Sequence, residues 1–254
     1  MSPIQTPVKC VVVVPCYNEA ERLHSDVFRS FAQANPGIFF IFVNDGSSDK
    51  TADVLNALHA SMPGAMNVLA CHVNQGKAEA VRKGMTFALA EVKPAFAGFW
   101  DADLATPLDA ILDFLQVLDD RPGIEMVFGA RVKLLGRYIE RNPLRHYLGR
   151  SFATVVSTML RMPIYDTQCG AKIFRVNSGL ASVLREPFLS RWIFDVEILA
   201  RYIQMAKGDS TGLQASIYEY PLTVWKDIAG SKIRSKDFFR AFLELGKIYR
   251  RYLS

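Results

Sequence analysis

The chain has little cysteine, no recognisable nucleophile–base pair and no apolar run long enough to cross a bilayer. Four cysteines (Cys10, Cys16, Cys71, Cys169) stand among 254 residues without the spacing of a metal-ligand set. Cys10 and Cys71 lie in strand-like apolar runs and read as buried thiols, which suits a reducing, cytoplasmic compartment. The histidines (His24, His59, His72, His146) are scattered, and none joins a Ser or Cys in a triad. Nucleophilic hydrolysis therefore finds no support. No Gly-x-Gly-x-x-Gly is present, which argues against a dinucleotide-binding dehydrogenase. No apolar stretch reaches the roughly 18–20 residues that a spanning helix needs. The opening Met-Ser-Pro-Ile-Gln-Thr-Pro carries no basic segment ahead of an apolar one, so no signal peptide is expected. Repeats, low-complexity tracts and Pro/Gly-rich linkers are missing as well, so one continuous domain is expected.

What is present is a sizeable core and an uneven charge. Half of the residues are apolar (50 %). Residues 1–130 hold 9 Lys/Arg against 15 Asp/Glu, and residues 131–254 hold 21 against 10. An acidic half that suits a metal thus precedes a basic half that suits an anion: a phosphate-bearing acceptor or a membrane surface. Nucleic acid is not expected, because no helix-turn-helix, zinc or RNP pattern accompanies the charge.

The first half alternates. Strands are predicted near 9–14, 38–44, 67–73, 96–101 and 125–130, and helices near 20–34, 49–61, 76–91 and 107–120. The last helix shows its period through Leu108, Ile111, Leu112, Leu115 and Leu118. Such alternation predicts an α/β fold with a mostly parallel central sheet. The second half opens on a basic stretch (Arg131, Lys133, Arg137, Arg141, Arg145, Arg150), then a helix from Asn142-Pro143 to about Leu160. A short strand is expected after Asp166-Thr167-Gln168-Cys169-Gly170, a helix that Arg191-Trp192-Ile193-Phe194-Asp195-Val196-Glu197 opens and that ends near Ala206, and a strand over 216–225. The end of the chain, 235–253, reads as a basic amphipathic helix. Lys236, Arg240, Lys247, Arg250 and Arg251 alternate there with Phe238, Phe239, Phe242, Leu245, Tyr249 and Tyr252. That pattern fits a helix lying in an anionic membrane interface, or one packing its apolar face on the domain.

Three strand-like runs end in polar or acidic residues. Cys10 to Val14 leads to Pro15-Cys16-Tyr17-Asn18-Glu19, and Phe39 to Val43 leads to Asn44-Asp45-Gly46-Ser47. Gly98-Phe99-Trp100 leads to Asp101-Ala102-Asp103-Leu104. Ligands of open α/β sheets bind at the carboxyl ends of strands. Asp101 and Asp103 repel each other, and a divalent cation bridging to substrate phosphates is the usual compensation. A simple helix start at Asp103 is the competing reading.

These motifs, together with Asn74-Gln75-Gly76-Lys77, Gly129-Ala130-Arg131, Asp166 to Gly170, Arg191-Trp192-Ile193-Phe194-Asp195-Val196-Glu197 and Gly230-Ser231-Lys232, resemble the family 2 inverting glycosyltransferases. Within that family the chain is most similar to the dolichyl/polyprenyl-phosphate β-glucosyltransferase group. The resemblance implies a GT-A (Rossmann-like) nucleotide-sugar-binding fold with a C-terminal helical extension. It also implies transfer of a hexose, glucose first, from a UDP-sugar to a polyprenyl phosphate, with Mg²⁺ or Mn²⁺. Residues 1–130 would bind the nucleotide sugar and metal, and 131–254 the acceptor. Asp45 would accept from the uracil ring, Pro15, Tyr17 and Glu19 would line base and ribose, and Lys77 would reach a phosphate. Asp101 and Asp103 would hold the metal, with Asp101 alternatively on the ribose. A phosphate acceptor is already an anion, so steering cations matter more than a base. Arg131, Arg137, Arg141 and Lys232 are the candidates, with Asp166 as base or positioning carboxylate. Asp103, Asp166 and Arg131 are the expected catalytic set. Trp192 is expected to pack rather than to stack on a sugar. Ala105 stands where mannosyl-transferring relatives carry glutamine, which disfavours a GDP-mannose donor. Two other readings stay open: a saccharide or other hydroxyl acceptor, and a sugar-phosphate nucleotidyltransferase. The latter wants a glycine-rich basic loop after the first strand, where Cys16 to Glu19 stand. The expected location is cytoplasmic, peripheral on the membrane face.

Overall fold

The apolar runs become strands, and each delivers a polar segment at its end. The computed structural model describes residues 7–140, 143–227 and 235–254, and within them the side chains of all but 143–148 and 235–239. β1 (Cys10–Cys16) leads to α1 (Ser25–Ala34), β2 (Ile38–Asp45) to α2 (Thr51–Ser61), and β3 (Met66–Cys71) to α3 (Lys77–Phe87). α3 runs on as a π-type turn over Ala88–Val92 before β4 (Phe96–Trp100), α4 (Ala110–Asp120) and β5 (Met126–Ala130). Then come β6 (Tyr138–Glu140), α5 (Pro143–Leu160), β7 (Ala171–Arg175), α6 (Ser178–Leu184) and α7 (Phe194–Met205). α8 (Ser210–Ala215), β8 (Ile217–Pro221), β9 (Val224–Lys226) and α9 (Ser235–Tyr252) complete the chain.

The expected alternation is present. β6, α6 and α8 are additions, each too short to show a period in sequence; side-chain caps from Asn177 and Asp209 start the two helices. The strand expected over 216–225 is two strands. Leu222 N still donates to Ala130 O, and then Thr223 O accepts from Tyr138 N, so the chain changes partner within two residues.

The chain packs as two compact units, Met1–Leu104 with Gly170–Pro187, and Ala105–Cys169 with Phe188–Ser254. In the first unit the strands run β3-β2-β1-β4-β7. The first four are parallel, and β7 is antiparallel to β4. All eight residues of β2 are buried, as expected of a strand covered on both faces. Phe28 of α1 meets the rings of Phe40 and Phe42 edge-on at 5.3 and 5.1 Å. Two glycines set close approaches. A Cβ at Gly84 of α3 would stand 2.4 Å from Val13 Cγ1, and one at Gly98 of β4 would stand 2.1 Å from the Lys172 carbonyl oxygen. Parallel pairing sends the ends of β1 to β4 to one edge, which gathers the polar segments there.

In the second unit β5 pairs with β8 and β6 with β9, both in parallel. α7 is buried from Phe194 to Ile203, charged residues included. Glu197 is wholly buried and accepts from Arg201 Nη2 (2.7 Å), Leu189 N (2.8 Å), Ser190 N (3.1 Å) and Tyr252 Oη (2.9 Å). Burial raises the pKa of the Tyr252 hydroxyl, and the Glu197 carboxylate raises it further. Ser190 Oγ in turn donates to Glu244 Oε2 at 2.5 Å. These bonds fasten α9 to α7. α9 buries Ala241, Leu245 and Ile248, so part of its apolar face packs on the protein, while Phe242, Leu243 and Tyr249 face outward. Trp192 is exposed rather than packed, contrary to expectation: the Trp192 and Ile193 amides both donate to Ser190 Oγ, and in this turn Ser190 and Ile193 are the buried residues. Among the thiols, Cys10, Cys16 and Cys169 are buried, whereas Cys71 is half-buried with Lys83 Nζ 3.5 Å away. Among the described residues no helix is long and apolar enough to cross a membrane.

Replacing Gly98 by alanine drives a methyl group into the backbone of β7. Gly98→Ala is expected to cost about 2–3 kcal/mol of stability, seen as a lowered urea midpoint at unchanged slope. An unchanged midpoint would show that β4 and β7 separate without cost.

Candidate active site

In the first unit the end of β4 carries the two aspartates, and each has a cation. Lys77 Nζ stands 2.5 Å from Asp101 Oδ1, and Arg22 Nη2 stands 3.2 Å from Asp103 Oδ2. Lys77 opens α3, directly after Gly76 with φ +97°. Arg22 also lies 3.5 Å from Glu19 through Nε. Positive charge within this range offsets the repulsion between the carboxylates. Gly170 closes the arrangement from below: a Cβ there would stand 1.9 Å from Asp101 Oδ2. Only a glycine leaves the Asp101 carboxylate where it is.

Two non-glycine residues at these strand ends adopt left-handed backbone. Asn18 has φ +51° and Leu104 has φ +53°. Asparagine tolerates this conformation, and here its Oδ1 accepts from Ser48 N at 2.9 Å. Leucine rarely does, and strain of this kind gathers at working sites.

Asp45, at the end of β2, is buried, and each of its carboxylate oxygens accepts from a backbone amide. Its Oδ1 accepts from Gln75 N at 2.9 Å and its Oδ2 from Gly76 N at 2.8 Å. The carboxylate therefore fixes the loop that presents Lys77. Asn44 Oδ1 accepts from Ser47 N at 3.0 Å and shapes the adjoining turn. Asp49 accepts from the Thr51 hydroxyl and from the Thr51 and Ala20 amides. Burial pushes its carboxyl up, but those hydrogen bonds prevail and hold it below the usual range. Glu19 is buried, and its amide donates to Thr51 Oγ1 at 2.8 Å. Pro15 is the next-to-last residue of β1, and Tyr17 is exposed just beyond the strand.

In the second unit Arg131 and Asp166 form a two-pronged pair. Arg131 Nε reaches Asp166 Oδ2 at 2.6 Å, Nη2 reaches Oδ1 at 2.7 Å, and the Arg131 amide donates to Oδ2 at 3.1 Å. The loop around Asp166 is held in turn by Glu219, whose Oε1 accepts from Asp166 N and whose Oε2 accepts from Tyr165 N, both at 2.8 Å. The guanidinium also lies over the Trp225 ring, 5.2 Å from its centroid. Cys169 packs on Gly129, where a Cβ would be 2.9 Å from the sulfur. The Gly-Ala-Arg and Asp-Thr-Gln-Cys motifs are thus one assembly. Arg137 donates to Thr223 Oγ1 at 2.5 Å. Arg141 and Lys232 lie outside the described residues.

A model of glycosyl transferase family 2 matches residues 11–186. The chain belongs to this family. A dolichyl-phosphate beta-glucosyltransferase of Mus musculus is 32 % identical over 261 residues, covering 96 % of this chain and 75 % of the relative. The dolichyl-phosphate beta-glucosyltransferase ALG5C of Trichomonas vaginalis is 29 % identical, over 93 % of this chain and 69 % of its own length. Glucosyl-3-phosphoglycerate synthase from Mycobacterium tuberculosis has the same fold. Solved with Mn²⁺, UDP-glucose and phosphoglyceric acid, it superposes with a TM-score of 0.66 at 17 % identity, over 96 % of this chain and 81 % of that one. This family 2 chain is therefore a glycosyltransferase of the GT-A fold, as the motifs imply.

The aspartates suit a hard cation that takes further ligands from phosphate and water. Among the described residues no group of three His, Cys, Asp or Glu side chains is arranged to hold a metal alone. Two residues of the site escaped the sequence reading. Arg22 meets Asp103 from 81 residues away in sequence, and its spacing from Glu19 was the sole local signal. Glu219, 53 residues from Asp166, gave none.

Gly170→Ala should leave the melting temperature nearly unchanged, since the obstacle is a side-chain end, yet displace Asp101. Glycosyl transfer is expected to fall by about 10- to 100-fold. Full transfer activity in the variant would show that the position of Asp101 is not critical.

Proposed function

We propose that this glycosyltransferase moves glucose from UDP-glucose to a polyprenyl phosphate with inversion, in the presence of Mg²⁺ or Mn²⁺. The observation that carries the reading is the charge arrangement at the end of β4, two carboxylates each held by a displaceable cation. The names of relatives that align over nearly the whole chain support the acceptor.

On this reading residues 1–130 serve the donor and 131–254 the acceptor. Asp101 and Asp103 hold the cation, which when bound neutralises charge on the departing diphosphate. Lys77 and Arg22 exchange their carboxylate partners for phosphate oxygens. Pro15, Tyr17 and Glu19 line base and ribose, and Asp45 contributes its remaining lone pairs to the uracil while holding the Lys77 loop. A phosphate oxygen of the acceptor attacks the anomeric carbon from the face opposite the diphosphate. The bond from that carbon to the UDP oxygen breaks, and its electron pair leaves with UDP. No proton has to be removed, because the acceptor is an anion at neutral pH. Arg131, aimed by its two-pronged bond to Asp166, meets the acceptor phosphate, with Arg137, Arg141 and Lys232 adding positive charge. Asp166 works as the residue that aims Arg131 rather than as a base. Arg250 and Arg251, beside the outward Tyr249 of α9, suit a peripheral position on an anionic membrane.

The test is transfer of labelled sugar from UDP-glucose to a short polyprenyl phosphate with Mn²⁺, followed by solvent partition. Label is expected in the organic phase, and Asp103→Asn is expected to remove at least about 99 % of it, a loss of roughly 2.7 kcal/mol of transition-state stabilisation. Label that stays in the aqueous phase, or an Asp103→Asn enzyme running at the wild-type rate under limiting Mn²⁺, contradicts the proposal.

A further inference from the structure

We infer that the turn Leu134–Arg137 inserts into a lipid bilayer and is the point at which this chain meets the surface carrying its acceptor; the inference rests on the polyprenyl-phosphate reading above. Leu135 is fully exposed, at 104 % of its reference area, and Leu134 is half exposed at 50 %. The turn that presents them is a defined one. Arg137 N donates to Leu134 O at 3.1 Å, and Gly136 takes φ +77°, the left-handed conformation that such a turn needs at its third residue. Leu135 therefore sits at the apex of a closed turn.

The strands behind the turn continue the same surface. β6 and β9 pair in parallel, with Tyr138 opposite Val224 and Ile139 opposite Trp225. Ile139 and Trp225 are buried, while Tyr138 and Val224 are exposed at 73 % and 41 %. One face of the ribbon is spent on the core; the other carries Tyr138 and Val224 at the end next to the two leucines and the exposed Glu140–Lys226 pair at the far end, 3.9 Å apart. Cationic side chains border the turn: Lys133 is exposed on one side and Arg137 stands on the other, bonded to Thr223. An apolar apex, a tyrosine just behind it and a lysine on a long stem match the depth profile of a bilayer interface. A bilayer accepts a projecting apolar tip without shape complementarity, whereas a protein partner needs a broad, fitted patch. The excess of positive charge over residues 131–254 favours an anionic headgroup layer.

The experiment is flotation of the full chain with phosphatidylcholine vesicles, with and without phosphatidylglycerol. The wild type is compared with Leu134→Ser/Leu135→Ser and with Leu135→Trp. The double serine variant is expected to partition at least about tenfold more weakly on both compositions, with UDP affinity unchanged. The indole emission that Leu135→Trp adds, taken as the difference from wild type, is expected to shift to the blue on vesicles and to be quenched by brominated lipid. Wild-type chain that fails to float, a double variant that floats like wild type, or added emission that stays as in water on vesicle-bound chain overturns the inference. Transfer to polyprenyl phosphate in detergent is measured alongside. Its absence in the wild type, with flotation lost in the double variant, overturns the acceptor reading and leaves the insertion standing. Its presence, with flotation unaffected by the serines, does the reverse.

Discussion

Two carboxylates at the end of a buried strand cannot stand together without positive charge. That constraint organises the first unit. The loop after β1 supplies Arg22 to Asp103, and the start of α3 supplies Lys77 to Asp101. Asp45, at the end of β2, serves the same purpose indirectly, since its two oxygens hold the backbone that carries Lys77 into place. Gly170 leaves the room that Asp101 occupies. On the proposed reading, a cation or a diphosphate entering here would meet groups already paired, so binding would be an exchange of partners rather than the capture of exposed charges. Such exchange keeps the desolvation cost of the resting site low.

The second unit follows a similar rule with a different outcome. Arg131 and Asp166 are locked by two side-chain bonds and one backbone bond, and Glu219 fixes the loop beneath them. On the proposed reading, a guanidinium held this firmly would be aimed before the acceptor phosphate arrives, with the entropy cost of ordering it already met by the fold. The buried Glu197 does the corresponding work for the end of the chain, joining α7, the 189–190 backbone and α9. Its position near the start of α7 suggests helix-dipole compensation, but its bonds are those of a structural hub.

Much of this was legible in the sequence because apolar runs ending in acid are local signals. The strands over Cys10–Cys16, Ile38–Asp45 and Phe96–Trp100 and the paired aspartates needed no partner to be recognised. The β6–β9 ribbon was not legible: each strand has three residues, and its pairing depends on a change of partner at Leu222-Thr223. Arg22 and Glu219 were missed for the same reason, since their meaning lies in residues far away along the chain. Asp45 was read as a ligand-facing carboxylate, and the structure shows what a spacing cannot, that both of its oxygens already serve the backbone. The outward leucines at 134 and 135 passed unnoticed within a basic stretch, because exposure has no signature in composition.

The central claim is that the aspartate pair completes a cation site only together with a nucleotide diphosphate. Calorimetric titration of Mn²⁺ into the protein, with and without saturating UDP, tests it most directly. The account predicts weak or undetectable Mn²⁺ binding alone, because Lys77 and Arg22 occupy the carboxylates, and binding at least about tenfold tighter with UDP present. Equally tight binding without the nucleotide would contradict it.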